Sequence, residues 1–410
     1  MRFTVSFAVQ PVHGTTDRTR KRIHAICPLR GEVMKKILFG TTALIAAGAF
    51  AATASADPIS LSIGGKQEMF FGAGDVNDNA GETWASTGMA TDTELYFSGE
   101  TTLDNGITVR AVIQLEAEDS ADRNADEQYI TLSGGFGALQ VGQKEGYAAQ
   151  MQYATPGAGG VIDWDEIDDG WAPFGFVPGY YDDDDLSVSY VTPSFFGFSL
   201  AGTYAPDSSN NDDSAFQDWN DTGSDYKDLL SVGAAFDNEF SGVGIHADVT
   251  YQYQFGTTTR EALIDLSAGQ VTDLTTQLGI ADPGQAVEVN ATSNNADRSL
   301  LRGGLALSYM GFEVGGHYGH WYVDGANNDM EGWGVGAGYT NGPYGVAFNY
   351  RGGYQDAAND VHQDGFMFSG NYILAPGIDL GAAVFHANQE VDNAADREVT
   401  GVLFGIGLSF

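Results

Sequence analysis

The chain has little cysteine, few bases and no long hydrophobic segment in its main part. Cys27 is the only cysteine among 410 residues, and it precedes the part that we expect to fold. Disulfides and thiol chemistry are therefore excluded there. No stretch after Phe50 is apolar enough for a transmembrane helix, which needs about 20 consecutive apolar residues. No Pro/Ser-rich linker or break in composition divides the chain, so one large closed sheet fits better than several soluble domains.

Lysine and arginine are scarce relative to the acids. The sequence has 18 Lys+Arg against 55 Asp+Glu, a formal net charge of −37. Residues 1–56 contain 8 of these bases and 2 of the acids, which leaves 10 bases, 53 acids and a charge of −43 for the rest. Nucleic acid is excluded as a partner, because both molecules would be strongly anionic.

The first 56 residues have the pattern of an export signal and not of a folded domain. Met34 begins a short basic segment, 37–50 is an apolar run, and 54–56 is a small-residue cleavage site. The apolar run is too short to span a bilayer as a helix. We predict a signal peptide at 34–56 and the fold at 57–410. Residues 1–33 are an upstream extension, either from a start codon assigned too early or, less favoured, with a targeting role.

The chain after residue 57 consists of segments of about ten residues with alternating hydrophobicity. Such segments are the sequence pattern of transmembrane β-barrel strands. We count sixteen, an even number, and predict an all-β fold: a transmembrane antiparallel up-and-down barrel. The predicted strands are 59–71, 91–103, 107–118, 127–135, 137–145, 185–192, 197–205, 226–236, 243–255, 298–309, 312–322, 332–340, 344–354, 363–374, 378–387 and 399–410.

The connectors alternate in length. Those after even-numbered strands are tight and contain turn residues, as at Asp104–Gly106, Met310–Gly311 and Ala375–Gly377. Those after odd-numbered strands are longer, acidic and often rich in Asn and Asp. Short periplasmic turns and long extracellular loops are typical of outer-membrane barrels. In the connector 256–297, the apolar residues from Arg260 to Leu266 have near-helical spacing, which favours a short surface helix there.

The phase of the side chains favours an apolar outer surface. In the third strand Val109, Ala111 and Ile113 alternate with Arg110 and Gln114. In a sixteen-stranded barrel the apolar set contacts lipid and the polar set lines an aqueous channel. Aromatic rings near strand ends suit the two membrane interfaces; they are Phe70, Phe71, Phe136, Phe195, Phe196, Phe312, Tyr344 and Phe410.

The last strand ends the chain on an aromatic residue. Val402, Phe404, Ile406, Leu408 and Phe410 occupy every second position, mostly separated by small or polar residues. A soluble protein rarely ends on an unprotected apolar strand, whereas in a closed barrel the last strand pairs with the first. A terminal Phe410 resembles the C-terminal insertion signal of Gram-negative outer-membrane barrels.

These features together resemble the sixteen-stranded general porins of alphaproteobacteria, the Rhodobacter-type family. The resemblance covers 57–410 and rests on the runs at 56–64, at 132–142 and at the C-terminus. It implies an outer-membrane location in a Gram-negative bacterium, with lipid and lipopolysaccharide around the barrel. It also implies a homotrimer of separate water-filled channels, through which ions and small hydrophilic solutes diffuse. In that family the third loop folds into the barrel and narrows it.

The third loop of this chain, about 146–184, is acidic and aromatic. Trp164, Trp171, Phe174 and Phe176 are interleaved with its acids, and large rings favour packing against a barrel wall over full exposure to solvent. We therefore predict that the loop folds inward and forms an acidic constriction. Its acids are Asp163, Asp165, Glu166, Asp168, Asp169, Asp182, Asp183 and Asp184.

The few bases of the barrel fall on the inward phase of their strands. A charge that faced lipid near the membrane midplane would cost about 2–4 kcal/mol. We predict a basic wall opposite the acidic loop, so that a transverse field crosses the channel. The alternative is scattered bases, each paired with a nearby acid. The predicted wall consists of Lys66, Arg110, Lys144, Arg302 and Arg351. The acidic excess predicts cation preference.

No motif in the sequence requires a cofactor, although Ca²⁺ is a candidate ligand. Asp182, Asp183, Asp184 and Asp185 supply the oxygen ligands that Ca²⁺ prefers, without matching an EF-hand. His317 and His320 fall on opposite faces of a strand, which disfavours a zinc site. No arrangement of nucleophile, base and acid has the context of a catalytic motif, so we predict that the protein is not an enzyme.

Three other functions remain open from the sequence alone. A substrate-selective porin for a sugar, an organic acid or a metal cation would use the same barrel. A secreted Ca²⁺-binding β-solenoid or adhesin would explain the Asp and Gly content, but the sequence lacks the nine-residue repeat of that class. A barrel phospholipase is the weakest alternative, because it would be smaller and would need a Ser-His pair facing lipid.

Overall fold

The computed structural model is a closed antiparallel barrel of sixteen strands, each hydrogen-bonded to its neighbours in the chain. The predicted fold class and strand number are therefore confirmed. Among the described residues, no helix is long and apolar enough to cross a membrane. The structure describes residues 58–78, 86–117, 125–164, 167, 184–207, 226–256, 258–259, 262–263, 288–289, 293–294, 296–325, 329–357, 359–394 and 396–410.

The strands agree with the predicted ones within about four residues at each end, except that β1 ends at Asp78 and not at residue 71. Several extend further at the end that carries the long loops, where the sequence pattern turns polar. They are β1 (Ser60–Asp78), β2 (Thr87–Thr102), β3 (Thr108–Glu116), β4 (Ala125–Gly134), β5 (Gly137–Gln143), β6 (Leu186–Val191), β7 (Phe198–Asp207), β8 (Tyr226–Phe240), β9 (Val243–Gly256), β10 (Arg298–Tyr309), β11 (Phe312–Val323), β12 (Met330–Asn341), β13 (Tyr344–Gln355), β14 (Val361–Ala375), β15 (Ile378–Val391) and β16 (Arg397–Ser409).

The barrel closes where the last strand pairs with the first. The register runs from Lys66 opposite Ser409 to Asp78 opposite Arg397. Phe410 extends this pairing, because its carbonyl accepts from Gly65 N at 3.0 Å and its N–H donates to Gly65 O at 3.1 Å. The paired edges of β1 and β16 thereby satisfy each other's backbone groups from Gly65 to Asp78, which an open sheet could not provide.

The apolar side chains lie on the outside, as the sequence phase predicts. In β9, Val249 and Tyr251 are 50% and 42% exposed, whereas Thr250 is 1% exposed and Gln252 is fully buried. In β3, Ile113 is 48% exposed and Gln114 only 8%. A soluble barrel would show the opposite arrangement, so this surface suits contact with hydrocarbon.

The short connectors are tight turns. Met310 and Gly311 both have positive φ, 49° and 86°, which is the backbone of a two-residue type I′ hairpin between β10 and β11. Gly311 also leaves no room for a side chain, since a Cβ there would overlap the carbonyl oxygen of Thr340. Long and short connectors alternate along the chain as predicted.

Two expectations from the sequence are wrong in detail. Ala262–Leu263 pairs with Glu288–Val289 as a short strand, so the predicted helix at Arg260–Leu266 does not form at these two residues; the rest of that helix lies outside the described residues. Phe70, expected at a membrane interface, is 3% exposed and belongs to an interior cluster.

Candidate functional site: the barrel interior and its third loop

The third loop, about 146–184 between β5 and β6, enters the barrel with its described residues. It begins with a one-turn helix, α1 (Tyr147–Gln150). The N–H of Tyr147 donates to Ser189 Oγ at 2.7 Å, which ties the start of the loop to β6. Ala148 is fully buried and packs with Met151 over the inner face of β8, where Gly233 leaves space for them. The described part of the loop thus follows the inner wall, as predicted from its aromatic content.

Tyr153 is the centre of a polar latch between the loop and the wall. Its N–H donates to Asp248 Oδ2 at 3.0 Å, and its hydroxyl donates to Glu313 Oε1 at 2.6 Å. Its carbonyl accepts from Arg302 Nη2 at 2.7 Å. Three strands, β9, β10 and β11, therefore hold one residue. Burial and the Glu313 carboxylate raise the pKa of Tyr153, so the phenol stays a donor.

The residues next to Tyr153 extend the latch. Gln152 Nε2 donates to Thr250 Oγ1 at 2.9 Å. His317 Nδ1 lies 3.0 Å from the carbonyl oxygen of Ala154, and a carbonyl can only accept, so this ring nitrogen carries the proton. Hydrogen bonds that involve charged groups contribute about 1.5–3 kcal/mol each, and neutral ones about 1 kcal/mol. The latch therefore fixes residues 152–154 firmly.

The glycines of β12 and β13 let the loop approach the wall closely. A Cβ at Gly338 would lie 3.3 Å from Pro156 Cβ, and one at Gly345 would overlap the carbonyl oxygen of Ala158. Of the alternating glycines in 332–338, Gly334 and Gly338 therefore leave room for the loop, at Thr155 and Pro156.

The end of the described loop packs in a dry cluster inside the barrel. Ile167 is fully buried, and Val161 and Ile162 lie with it against inner residues of β14, β15, β16 and β1. The expectation of a polar, wet inner face is therefore wrong for this part of the wall, because the loop covers it. Burying each such side chain contributes about 1.5–3 kcal/mol. The wall residues of the cluster are Phe70, Met367, Ala383, Phe385, Ala387, Val399 and Leu403.

The inner faces of β2–β5, together with Lys66 and Glu68 of β1, form what we call the open wall. The contacts described for residues 152–164 lie on β9–β16 and at Phe70 of β1. The described residues 152–164 therefore leave the inner faces of β2–β5 open toward the channel. The charged side chains of the open wall include the acids Glu68, Asp92, Glu94, Glu116, Asp126 and Glu127 and the bases Lys66, Arg110 and Lys144.

Two groups of three carboxylates dominate the open wall. The oxygens of Asp92, Glu94 and Glu116 lie within 4.8 Å of one another. The ammonium of Lys66 lies 2.8 Å from Glu94 Oε1 and 2.5 Å from Asp92 Oδ2. One positive charge among three carboxylates leaves a local excess of negative charge.

The second group is Asp126, Glu127 and Asp184, with the same mutual spacing. Lys144 Nζ lies 2.7 Å from Glu127 Oε1, and Asp184 Oδ1 accepts from the N–H of Glu145 at 3.2 Å. Asp184 is the last residue of the loop before the buried Asp185, so this group joins the end of the third loop to the open wall.

The predicted acids of the loop are only partly described. Asp163 is exposed, beside Trp164, and Asp184 is in the second carboxylate group. The other predicted acids lie outside the described residues: Asp165, Glu166, Asp168, Asp169, Asp182 and Asp183.

The predicted bases lie in two places. Lys66, Arg110 and Lys144 are on the open wall. Arg302 and Arg351 lie beneath the loop: Arg302 binds the Tyr153 carbonyl, and the guanidinium of Arg351 stacks 3.9 Å from the ring centroid of Trp164.

Sequence reasoning missed the latch residues Asp248, Glu313 and His317. The sequence alternation predicts that these side chains on β9 and β11 point inward. It does not predict their partner, because Tyr153 lies on a loop, where no alternation applies. The one indication in the sequence was a tyrosine within a loop that we expect to fold inward.

The barrel and its inward loop define a membrane channel protein. The family model of Gram-negative porins matches residues 40–393. Since this match spans most of the chain, the protein belongs to the Gram-negative porin family. Fold and family together make it an outer-membrane channel for passive diffusion.

Solved structures share the fold at low sequence identity. OmpT, an outer membrane protein of Vibrio cholerae in trimer form, is 11% identical, with 86% of this chain and 100% of that chain covered and a TM-score of 0.56. An anion-selective porin from Comamonas acidovorans is 16% identical, with 86% and 100% covered and a TM-score of 0.54. The outer membrane channel DcaP of Acinetobacter baumannii is 13% identical, with 86% and 97% covered and a TM-score of 0.55. No curated protein sequence matches this chain.

Proposed function

We propose that this porin is a cation-preferring diffusion channel for ions and small hydrophilic solutes. The observation that carries the proposal is the open wall, where Lys66 and Lys144 each lie beside a group of three carboxylates. Fixed negative charge beside a narrow aqueous path raises the local cation concentration and repels anions. The charge of −43 on residues 57–410 acts in the same direction.

Locally paired bases are favoured over a transverse field between a basic wall and the acidic loop. Lys66 Nζ lies 2.8 Å from Glu94 Oε1 and Lys144 Nζ lies 2.7 Å from Glu127 Oε1, so these bases are paired with neighbouring acids. The acids around them leave the open wall with a net negative charge, which supports cation preference and not a field of opposite charges.

Reversal potential across a planar bilayer under a KCl gradient tests the cation preference. We expect the sign of a cation-selective channel in the native protein. The double variant Asp92→Asn/Glu94→Gln should lower the permeability ratio of K⁺ to Cl⁻ severalfold. Asp104→Asn, in a periplasmic turn away from the open wall, is the matched control and should leave the ratio unchanged. Anion selectivity in the native protein would refute the proposal.

Substrate selectivity is the second candidate function. The aromatic contact of Trp164 with Arg351 lies at the inner surface, where a sugar or an organic acid would pass. Saturable transport in liposome swelling, with one solute favoured over others of equal size, would support this candidate. Rates that depend on size alone would support general diffusion.

We also propose a homotrimer, export through the cleaved signal peptide 34–56, and placement in the Rhodobacter-type subgroup. The trimeric form of the Vibrio cholerae protein supports the first, and the sequence runs described above support the other two. Lipid and lipopolysaccharide are the proposed partners of the outer surface. Chemical cross-linking and N-terminal sequencing of the mature protein test the trimer and the cleavage.

We propose that the channel carries no catalytic activity, which lipase and protease assays check.

Calcium binding remains a prediction for the segment 182–185. Asp184 has two further carboxylates within 4.8 Å, those of Asp126 and Glu127, which is the support for it. Titration calorimetry with Ca²⁺ on the native protein and on Asp184→Asn tests this prediction. Equal heats in the two proteins would contradict it.

A further inference from the structure

The outer wall carries a groove of about 420 Å³ near the extracellular ends of β12–β15. Gly352 forms its floor. Where neighbouring outward positions carry large side chains, this one carries none, and a Cβ would lie 2.7 Å from the Trp333 ring. Because Tyr350, Gly352 and Tyr354 alternate with the inward Arg351, the groove faces away from the channel. The diffusion pathway does not use it.

Two pairs of rings flank the groove. The rings of Trp333 and Tyr350 are 5.1 Å apart, and those of Tyr354 and His362 are 4.8 Å apart. An indole and phenols offer apolar faces with polar edges at a membrane–water boundary. Such faces stack on the C–H face of a sugar ring.

Carboxylates line the same groove. Asp364, on β14, accepts from the Tyr350 hydroxyl at 3.4 Å, and Glu390, on β15, accepts from Asn388 Nδ2 at 3.3 Å. A carboxylate has about four acceptor sites, so both retain capacity for further donors. Hydroxyl groups of a ligand can supply those donors. A phosphate would instead be repelled by several carboxylates at short range.

The position of the groove identifies where its ligand comes from. Directly toward the membrane lie the exposed apolar side chains of Val335, Phe348 and Phe366 on the same outward faces. A lipid whose chains cover these residues places its headgroup at the level of Gly352. The groove is thus continuous with the lipid-contacting surface of the barrel.

We propose that this groove binds the sugar headgroup of a glycolipid in the outer leaflet. Trp333 stacks on the sugar ring, Asp364 and Glu390 accept from its hydroxyl groups, and the acyl chains cover the apolar side chains below. The proposal deepens the lipid partnership proposed above and depends on the barrel lying in the outer membrane. It does not depend on ion selectivity.

Native mass spectrometry of the full-length protein tests the proposal. The protein is released from tetraethylene glycol octyl ether, a detergent without a sugar headgroup, after incubation with glucosyl diacylglycerol or with phosphatidylglycerol at equal concentrations. We expect one glucosyl lipid retained per protomer, with a preference of about tenfold over phosphatidylglycerol. Equal retention of the two lipids would overturn the proposal.

Matched variants locate the site. Trp333→Leu and Asp364→Asn should each lower glucosyl lipid retention about tenfold. Two control variants should leave glucosyl lipid retention unchanged. Phe348→Leu alters the apolar surface below the groove, and Asp228→Asn alters another tyrosine–aspartate pair of the outer wall. If Trp333→Leu fails to fold, Glu390→Gln replaces it as the test variant, because Glu390 is exposed. Unchanged retention in Asp364→Asn and Glu390→Gln would overturn the assignment.

Two further measurements separate the possible outcomes. Methyl glucoside at the same concentration as the lipid should not displace it, because the glucoside lacks the acyl chains; displacement at equal concentration would show a site for soluble saccharide and overturn the lipid assignment. Conductance and reversal potential are also measured in the groove variants, and values equal to those of the native protein would show that the channel is intact. A loss of lipid preference with normal conduction is therefore distinct from failure of the channel function.

Discussion

Tyr153 shows how one side chain can hold a channel constriction in place. Its backbone and its hydroxyl contact three strands, and each partner is an inward polar group. The same inward polarity that makes a barrel lumen wet supplies the donors and acceptors for a loop that enters it. The position of the loop therefore depends on a few hydrogen bonds whose loss should be visible in the current.

Tyr153→Phe should loosen the loop. The change removes the bond to Glu313, which contributes about 1.5–3 kcal/mol because its acceptor is charged. We expect larger fluctuations of the open-channel current in single-channel recordings. Tyr204→Phe removes a comparable bond, to Asp228 on the outer wall, and should leave the current unaffected. Equal noise in Tyr153→Phe and the native protein would contradict the assignment of the latch.

Lys66→Gln should increase cation selectivity. Without its ammonium, Asp92 and Glu94 lose their shared counter-charge and the open wall becomes more negative. The reversal potential should shift further toward the K⁺ equilibrium value, most strongly at low ionic strength. Lys66→Arg keeps the charge and should behave as the native channel. A shift toward anion preference in Lys66→Gln would count against the proposed role of the open wall.

At the scale of the element, the strands and the third loop are adapted to each other. The strands β12 and β13 carry glycine where the loop backbone touches them, and the strands β14–β16 carry apolar side chains where Ile167 is buried. A wall designed only to line water would need neither. The dry cluster gives the loop a hydrophobic anchor beyond the polar latch.

Gly345→Ala should displace the loop from the wall. The added Cβ would overlap the Ala158 carbonyl, and relieving such overpacking costs about 1–3 kcal/mol. We expect an altered single-channel conductance and a lower temperature of heat-modifiable unfolding on denaturing gels. Gly370→Ala is the matched control, because its Cβ would meet only an oxygen at 3.7 Å, an ordinary contact. Identical conductance in the two variants would contradict the close approach at Gly345.

At the scale of the whole molecule, closure of the barrel depends on the chain terminus. Phe410 makes two backbone hydrogen bonds with Gly65, and its ring lies over the glycine. The residue that we predict to direct insertion is thus also the residue at which the first and last strands meet. An open β1 edge would expose unpaired backbone groups to hydrocarbon, at a cost of several kcal/mol each.

Deletion of Phe410 should reduce assembly into the outer membrane. Both closing hydrogen bonds and the terminal aromatic side chain are lost. We expect a smaller heat-modifiable fraction in outer-membrane preparations. Phe410→Tyr preserves the ring and the pairing and should assemble normally. Full assembly of the deletion variant would refute the predicted role of Phe410.

Much of this architecture is readable from alternation alone. In β9 the alternation of Val249, Thr250 and Tyr251 predicts a strand with one apolar and one polar face, and Met310–Gly311 predicts the turn that follows β10. The inward phase of Arg302 and Arg351 was also readable. Their partners were not, since Tyr153 and Trp164 lie on a loop whose path no period describes.

The sequence by itself determined the sixteen strands, their order and the two phases of each, because side-chain alternation and turn chemistry are local properties. Only the tertiary structure decided which inner positions meet water and which meet the third loop. Val161 of the loop and Leu403 of β16 are far apart in the chain, and they pack together only once the barrel has closed around the loop. Contacts between elements distant in sequence depend on closure, and closure is a property of the whole sheet.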